Sequence, residues 1–136
     1  MASGIIRVAD VKRTPLHMVS GLANVKSAIE EMKRHNVSSL VIERRDDNDE
    51  FGLVTVHDIA TKLIAKNRSA ERTSVYEIMT KPALMLNGDM NVKYAIRFLG
   101  RLGFTRALVT GGDDRLGLVT LRDLVLSTAG LEEISD

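Results

Sequence analysis

GLVTVHD at residues 52–58 and GLVTLRD at residues 117–123 share five of seven residues. Each sets a short apolar run ahead of a threonine, with an aspartate three positions further on. Working outward, NVKSAI (24–29) matches NVKYAI (91–96) at five of six positions, 67 residues apart, whereas the GLVT strings stand 65 apart. Between these anchors Leu40, Val41 and Ile42 align with Ala107, Leu108 and Val109, still at 67. The two-residue difference therefore falls in one stretch, ERRDDNDEF against TGGDDRL. A length change in a surface turn costs little loop entropy. Ordered matches with one insertion identify two copies of a single unit.

Both copies carry the same run of elements. Asn24 and Asn91 are good N-caps for helices whose apolar residues recur at helical spacing. These residues are Val25, Ala28, Ile29 and Met32 in the first copy, and Val92, Ala95, Ile96, Leu99 and Leu102 in the second. Gly103 suits a helix C-terminus. VSSLVI then FGLVT, and FTRALVT then LGLVT, read as strand pairs joined by polar hairpins. A second helix follows each pair, over 56–66 and 121–129. An earlier strand follows Pro15 (16–19) and Pro82 (84–86). The expected fold class is α+β, two β-α-β-β-α repeats packed together. The repeats occupy 1–66 and 75–130, with a polar linker at 67–74 and a tail at 131–136. Neither ~60-residue unit buries much core alone, so the two are expected to pack together.

Composition narrows the function classes. The 136 residues are 44% hydrophobic and 27% charged, which reads as globular and excludes a disordered chain. A net charge of +1 gives no single-sign field to draw nucleic acid or anionic membrane. With no cysteine, disulfides, thiolate catalysis and Cys-type zinc sites are excluded. MASGIIRVAD lacks the apolar core of a signal peptide, and no apolar run approaches the ~18–20 residues of a membrane span. A cytoplasmic protein is expected.

The T-x-x-D string has two physical readings. One is a helix capping box, in which hydroxyl and carboxylate satisfy N–H groups of the first turn. The other is half of a nucleotide site. Free N–H groups suit a phosphate, the hydroxyl could add a bond to it, and the acid could accept both hydroxyls of a ribose. The preceding glycine permits close approach of a backbone or ligand. Repetition does not separate the readings, because duplication copies caps as faithfully as sites.

The tandem β-α-β-β-α units, with Gly-apolar-apolar-Thr-x-x-Asp closing the third strand of each, resemble a pair of CBS domains, named for cystathionine β-synthase. The resemblance runs from about Val8 to Ala129. It implies repeats packed with pseudo-two-fold symmetry and two clefts that bind AMP, ADP, ATP or S-adenosylmethionine, with ribose on Asp58 and Asp123 and phosphate-side hydroxyls at Thr55 and Thr120. Carried over, one cleft combines Thr55, His57 and Asp58 with Thr80, Met85, Phe104, Thr105 and Arg106. The other combines Thr120, Arg122 and Asp123 with Arg13, Met18, Val37, Ser38 and Ser39. The two clefts are unequal: Ser39 is the counterpart of Arg106, His57 of Arg122 and Thr80 of Arg13. Arg106 favours the Asp58 cleft as the tighter, through charge-assisted bonds to phosphate. The family's usual proline after the second-strand entry is replaced by Val41 and Leu108.

Other motifs carry less. GGDDR (111–115) reads as a hairpin turn, not a cyclase signature. DDNDE (46–50) is followed by Phe51, where a calcium loop needs glycine. His17, His35 and His57 lack ligand spacing, so no metal is expected. Two tyrosines, three phenylalanines and no tryptophan supply a base-stacking surface poorly. The expected protein is therefore a non-enzymatic regulatory module for adenine nucleotides, acting in trans on a partner or as a homodimer. Ile59, Leu63, Leu124 and Val125 are the interface candidates. Alternatives are a structural dimerisation module with empty clefts, and a binder of S-adenosylmethionine or a dinucleotide.

Overall fold

The computed structural model describes residues 4–14, 16–111 and 115–129. The expectations placed on Pro15, on the middle of GGDDR and on the 131–136 tail lie outside them. The chain divides into two compact units: one is His17–Ala83, and the other joins the residues up to Leu16 to those from Leu84 onward.

In the His17–Ala83 unit a three-stranded sheet runs β1 (Met18–Val19), β2 (Ser39–Ile42), β3 (Gly52–Thr55). β1 lies parallel to β2 with Met18 beside Val41, and β2 lies antiparallel to β3 with Ser39 beside Thr55. A parallel pair requires a crossover, and helix α1 (Val25–His35) supplies it. The Asn24 side chain accepts the Ser27 N–H at 2.9 Å, and Asn36 closes the helix in the left-handed region at φ 53°. Val25, Ala28 and Met32 face inward at helical spacing, whereas Ile29 sits on the exposed edge. They meet Leu40, Ile42, Val54, Ile59, Leu63, Val75 and Ile78 in one core. Helix α2 (Val56–Lys62) is shorter than the expected 56–66. The turn at Ile64–Lys66 tightens to a 3-10 helix, and left-handed Asn67 ends it.

The second unit repeats this plan with β4 (Met85–Asn87), β5 (Arg106–Thr110) and β6 (Gly117–Thr120). Met85 lies beside Leu108 and Arg106 beside Thr120, the registers expected from offsets of 67 and 65. Helix α3 (Val92–Leu102) is capped by Asn91, whose side chain accepts the Lys93 N–H, and is stopped by Gly103 at φ 73°. Helix α4 (Leu121–Leu126) ends short of Ala129. Ser127 and Thr128 turn their hydroxyls onto the Leu124 and Val125 carbonyls at 2.6 and 2.7 Å, which competes with continued helix. The core gathers Val8, Leu86, Val92, Ala95, Leu99, Ala107, Val109, Val119 and Leu124.

Val8 shows a feature that element spacing does not reveal. The segment preceding each first strand completes the core of the other repeat's unit. Val8 lies in a 3-10 turn (Val8–Asp10) packed with the second repeat, and its counterpart Val75 lies in a 3-10 turn (Val75–Glu77) packed with the first. Each segment then adds an antiparallel rung to a third strand. Thr80 and Leu53 exchange backbone bonds of 2.8 and 2.9 Å, and Arg13 and Leu118 exchange bonds of 2.8 and 3.1 Å.

The interface expectation needs correction. Ile59, Leu63 and Leu124 are buried in the cores of their own units, where they cannot meet a partner; Val125 alone of the four is open, at 48% exposure. These helices turn Ile59 and Leu124 onto their own sheets and cores.

Candidate functional site

Both T-x-x-D strings form at strand-to-helix junctions, and in both the threonine caps the helix. Thr55 Oγ1 accepts the Asp58 N–H at 3.0 Å, and Asp58 Oδ2 accepts the Thr55 N–H at 3.0 Å in return. The Thr55 hydroxyl lies 3.1 Å from the same Oδ2. Thr120 Oγ1 likewise accepts the Asp123 N–H at 3.0 Å. The cap is thus real, and it also fixes each carboxylate against the end of its sheet.

The glycine opening each third strand has a structural use. A Cβ on Gly52 would meet Met79 Sδ at 3.0 Å, and one on Gly117 would meet the Lys12 Cδ at 2.7 Å and its Cβ at 2.9 Å. Met79 and Lys12 immediately precede the rung residues Thr80 and Arg13. Glycine lets the added segment lie close to the sheet edge, so the expected close approach is made by the chain itself.

The carboxylates differ in their companions. Asp58 is 7% exposed, and Lys62, one helical turn on, holds Oδ1 with Nζ at 3.1 Å while donating to the Ile78 carbonyl at 3.2 Å. Asp123 is gripped by Arg13 through two bonds, Nε to Oδ2 at 2.6 Å and NH2 to Oδ1 at 2.8 Å. This bidentate bond, helped by the Thr120 hydroxyl, holds the Asp123 carboxyl below the usual carboxylate range and raises the Arg13 guanidinium. Lys62 was missed by sequence reading, although its i,i+4 spacing from Asp58 was a usable signal.

The other expected residues divide between the units. Ser39 faces Thr55 across β2 and β3, Ser38 accepts the Val56 N–H on its carbonyl, and Val37, His57 and Met18 complete that set. Met18 and its counterpart Met85 are 42% and 39% exposed, so neither is a core filler. In the second unit Thr105, Arg106, Thr120 and Arg122 line one hollow of about 430 Å³ with Leu121, Val125 and Leu126, and Phe104 is exposed beside Thr105. Among the described residues, no three His, Asp or Glu side chains are placed to hold a metal ion. His17 and His35 stack at 3.9 Å, and His35 meets Glu31 at 3.0 Å. No described helix is long and apolar enough to cross a membrane.

The duplicated sheet with its paired T-x-x-D junctions defines the class of protein. The family model described as CBS domain matches twice, at residues 8–65 and 75–129, and the chain belongs to that family. Among solved structures it is similar to a hexameric CBS-CP12 protein from bloom-forming cyanobacteria, with 28% identity, TM-score 0.88, and coverage of 96% of this chain and 76% of that one. The CBS domain pair of protein MJ0100, in complex with 5′-methylthioadenosine and S-adenosyl-L-methionine, shares the fold at 24% identity. Its TM-score is 0.77, covering 93% and 98% of the two chains. A CBS domain protein from Pyrobaculum aerophilum complexed with AMP does so at 18% identity and TM-score 0.75, covering 91% and 98%. The chain spans 61% of the length of an uncharacterized Methanopyrus kandleri relative, matched over 88% of itself at 23% identity.

Proposed function

We propose that the chain is a regulatory module that takes an adenine nucleotide (AMP, ADP or ATP) at its T-x-x-D carboxylates. It relays occupancy to a partner protein or a second copy of itself, and it catalyses no reaction. The observation that carries this reading is the pair of aspartates, each set by its own threonine cap at the end of a sheet, whose two carboxylate oxygens suit the two hydroxyls of a ribose once the neighbouring cation yields. Thr55, Asp58 and Thr80 form one such group, with Arg13, Thr120 and Asp123 forming the other. Arg106 and Arg122 supply positive charge for phosphate, while exposed Met18 and Met85 supply apolar surface for a base. His57, Val37, Ser38, Ser39, Phe104 and Thr105 flank these groups. Adenosyl ligands in two CBS proteins of the same fold support the choice of ligand class.

A melting series tests it. A ligand at about 100 times its dissociation constant stabilises the folded state by roughly 2.7 kcal/mol. Millimolar AMP, ADP or ATP is expected to raise the melting temperature of the wild type by several degrees, and Asp58→Ala with Asp123→Ala to abolish the rise. Flat melts with all three would leave a structural dimerisation module as the reading. A larger rise with S-adenosylmethionine would move the ligand class to that molecule.

A further inference from the structure

The duplication has exchanged the side chains around its two aspartates. At an offset of 67, Thr80 is the counterpart of Arg13; at 65, Lys62 is the counterpart of Ser127. In the His17–Ala83 unit the rung beside β3 carries the short Thr80, and the cation comes from the helix as Lys62. In the second unit the rung beside β6 carries Arg13, and the helix position is Ser127, whose hydroxyl is spent on the Leu124 carbonyl. Each carboxylate is bonded by a cation delivered from a different side and with a different grip.

The two grips are not chemically equal. Lys62 is a point charge on a flexible stem; it meets Oδ1 at 3.1 Å and shares its donors with the Ile78 carbonyl. Arg13 presents a planar fork to both oxygens of Asp123. Its backbone is held by the rung to Leu118, while its side chain is 58% exposed and the Asp123 side chain only 15%. The fork therefore covers the two-oxygen edge on which a vicinal diol would dock.

We infer that Arg13 is the specificity-determining residue of the Asp123 site. A ribose diol must displace its guanidinium to be accepted on both oxygens, so this site binds ribosyl ligands more weakly than the Asp58 site, and the two fill in order. This rests on the ribose reading of both carboxylates. The released guanidinium re-pairs with an anionic group on the ligand, so an uncharged nucleoside meets the full penalty and a nucleotide only part of it.

Titration calorimetry with adenosine and AMP tests the inference. Wild type is expected to show two unequal classes of site, with Asp58→Ala removing the tighter. In the Asp58→Ala background, Arg13→Gln should strengthen adenosine binding roughly three- to tenfold, the range set by a partly exposed bidentate pair, and AMP binding by less. Arg13→Lys, which keeps the charge but not the fork, should fall between, and it decides the matter if Arg13→Gln melts early. Two equal sites in the wild type would overturn the inference, as would unchanged or weaker adenosine binding on loss of the fork. If no variant and no wild type binds adenosine or AMP, the ribose reading itself fails and takes the inference with it.

Discussion

At the scale of single residues, small side chains carry much of the design. Gly117 has ordinary backbone angles, yet a methyl group there would press on the Lys12 stem at 2.7 to 3.0 Å. Gly117→Ala is therefore expected to destabilise the protein by about 1–3 kcal/mol through overpacking. Denaturant midpoints would measure it, and a second change, Lys12→Ala, should recover part of the loss. The threonines of the two junctions were legible as caps from sequence, because a hydroxyl three residues before an acid is a local pattern. Of the cations facing the acids, Lys62 stands at i,i+4 from Asp58, which is also a local pattern. Arg13 stands 110 residues from Asp123 with no periodicity to link them, and only the family resemblance grouped the two.

At the scale of elements, the β2–β3 hairpin shows how the longer loop of the first copy is anchored. Asp49 accepts from Lys81 at 2.8 Å and from the Arg45 backbone and guanidinium at 2.9 and 3.1 Å. Lys81 above all, then Arg45, holds the Asp49 carboxyl well below the usual carboxylate range. DDNDE thus turns its best-placed acid inward onto two cations and does not form a calcium loop. A depressed carboxyl contributes stability that is fully present above the ordinary range near pH 4. That contribution fades as pH falls through the lower folded value. Both Asp49 and Asp123 have the depressed sign. Acid titration of the melting temperature should therefore show a fall below about pH 4 that is shallower in Asp49→Asn and in Arg13→Gln. Equal slopes in all three proteins would contradict the assignment.

The helices make a similar point about local signals. Asparagine caps located the starts of α1 and α3, and Gly103 located the end of α3. α2 and α4 came out shorter than their apolar patterns suggested. Leu63 continues the pattern at the junction between α2 and the 3-10 turn, and the hydroxyls of Ser127 and Thr128 divert the carbonyls that another turn would need. Spacing alone does not distinguish an α turn from a tighter one.

At the scale of the whole molecule, the exchange of leading segments ties stability to residues far away in sequence. Val8 is fully buried in the core completed by residues 86–124, and Val75 in the core completed by residues 25–63. Val8→Ala and Val75→Ala should each cost about 1–3 kcal/mol, as buried methyl groups do. Amide exchange would show the Val8→Ala loss concentrated on β5, β6 and α3, not on its neighbours in sequence. Protection lost instead around α1 and β2 would speak against this packing. Burial of Ile59, Leu63 and Leu124 follows from the same closure of each unit on itself.

The sequence by itself determined the duplication, the order of elements in each copy, the correspondence of positions between the copies and the placement of two aspartates after two threonines. All of these follow from short-range rules: period 2 in strands, period 3.6 in helices, caps within three residues, and an offset that one loop shifts by two. Tertiary structure alone decided which leading segment completes which core, which apolar faces are spent inside, and the two-bond grip that Arg13 takes on Asp123. Those depend on where distant stretches of chain are brought together by burial. A pair such as Arg13 and Asp123 leaves no trace in local spacing, because only the rung at Leu118 brings it within hydrogen-bond reach.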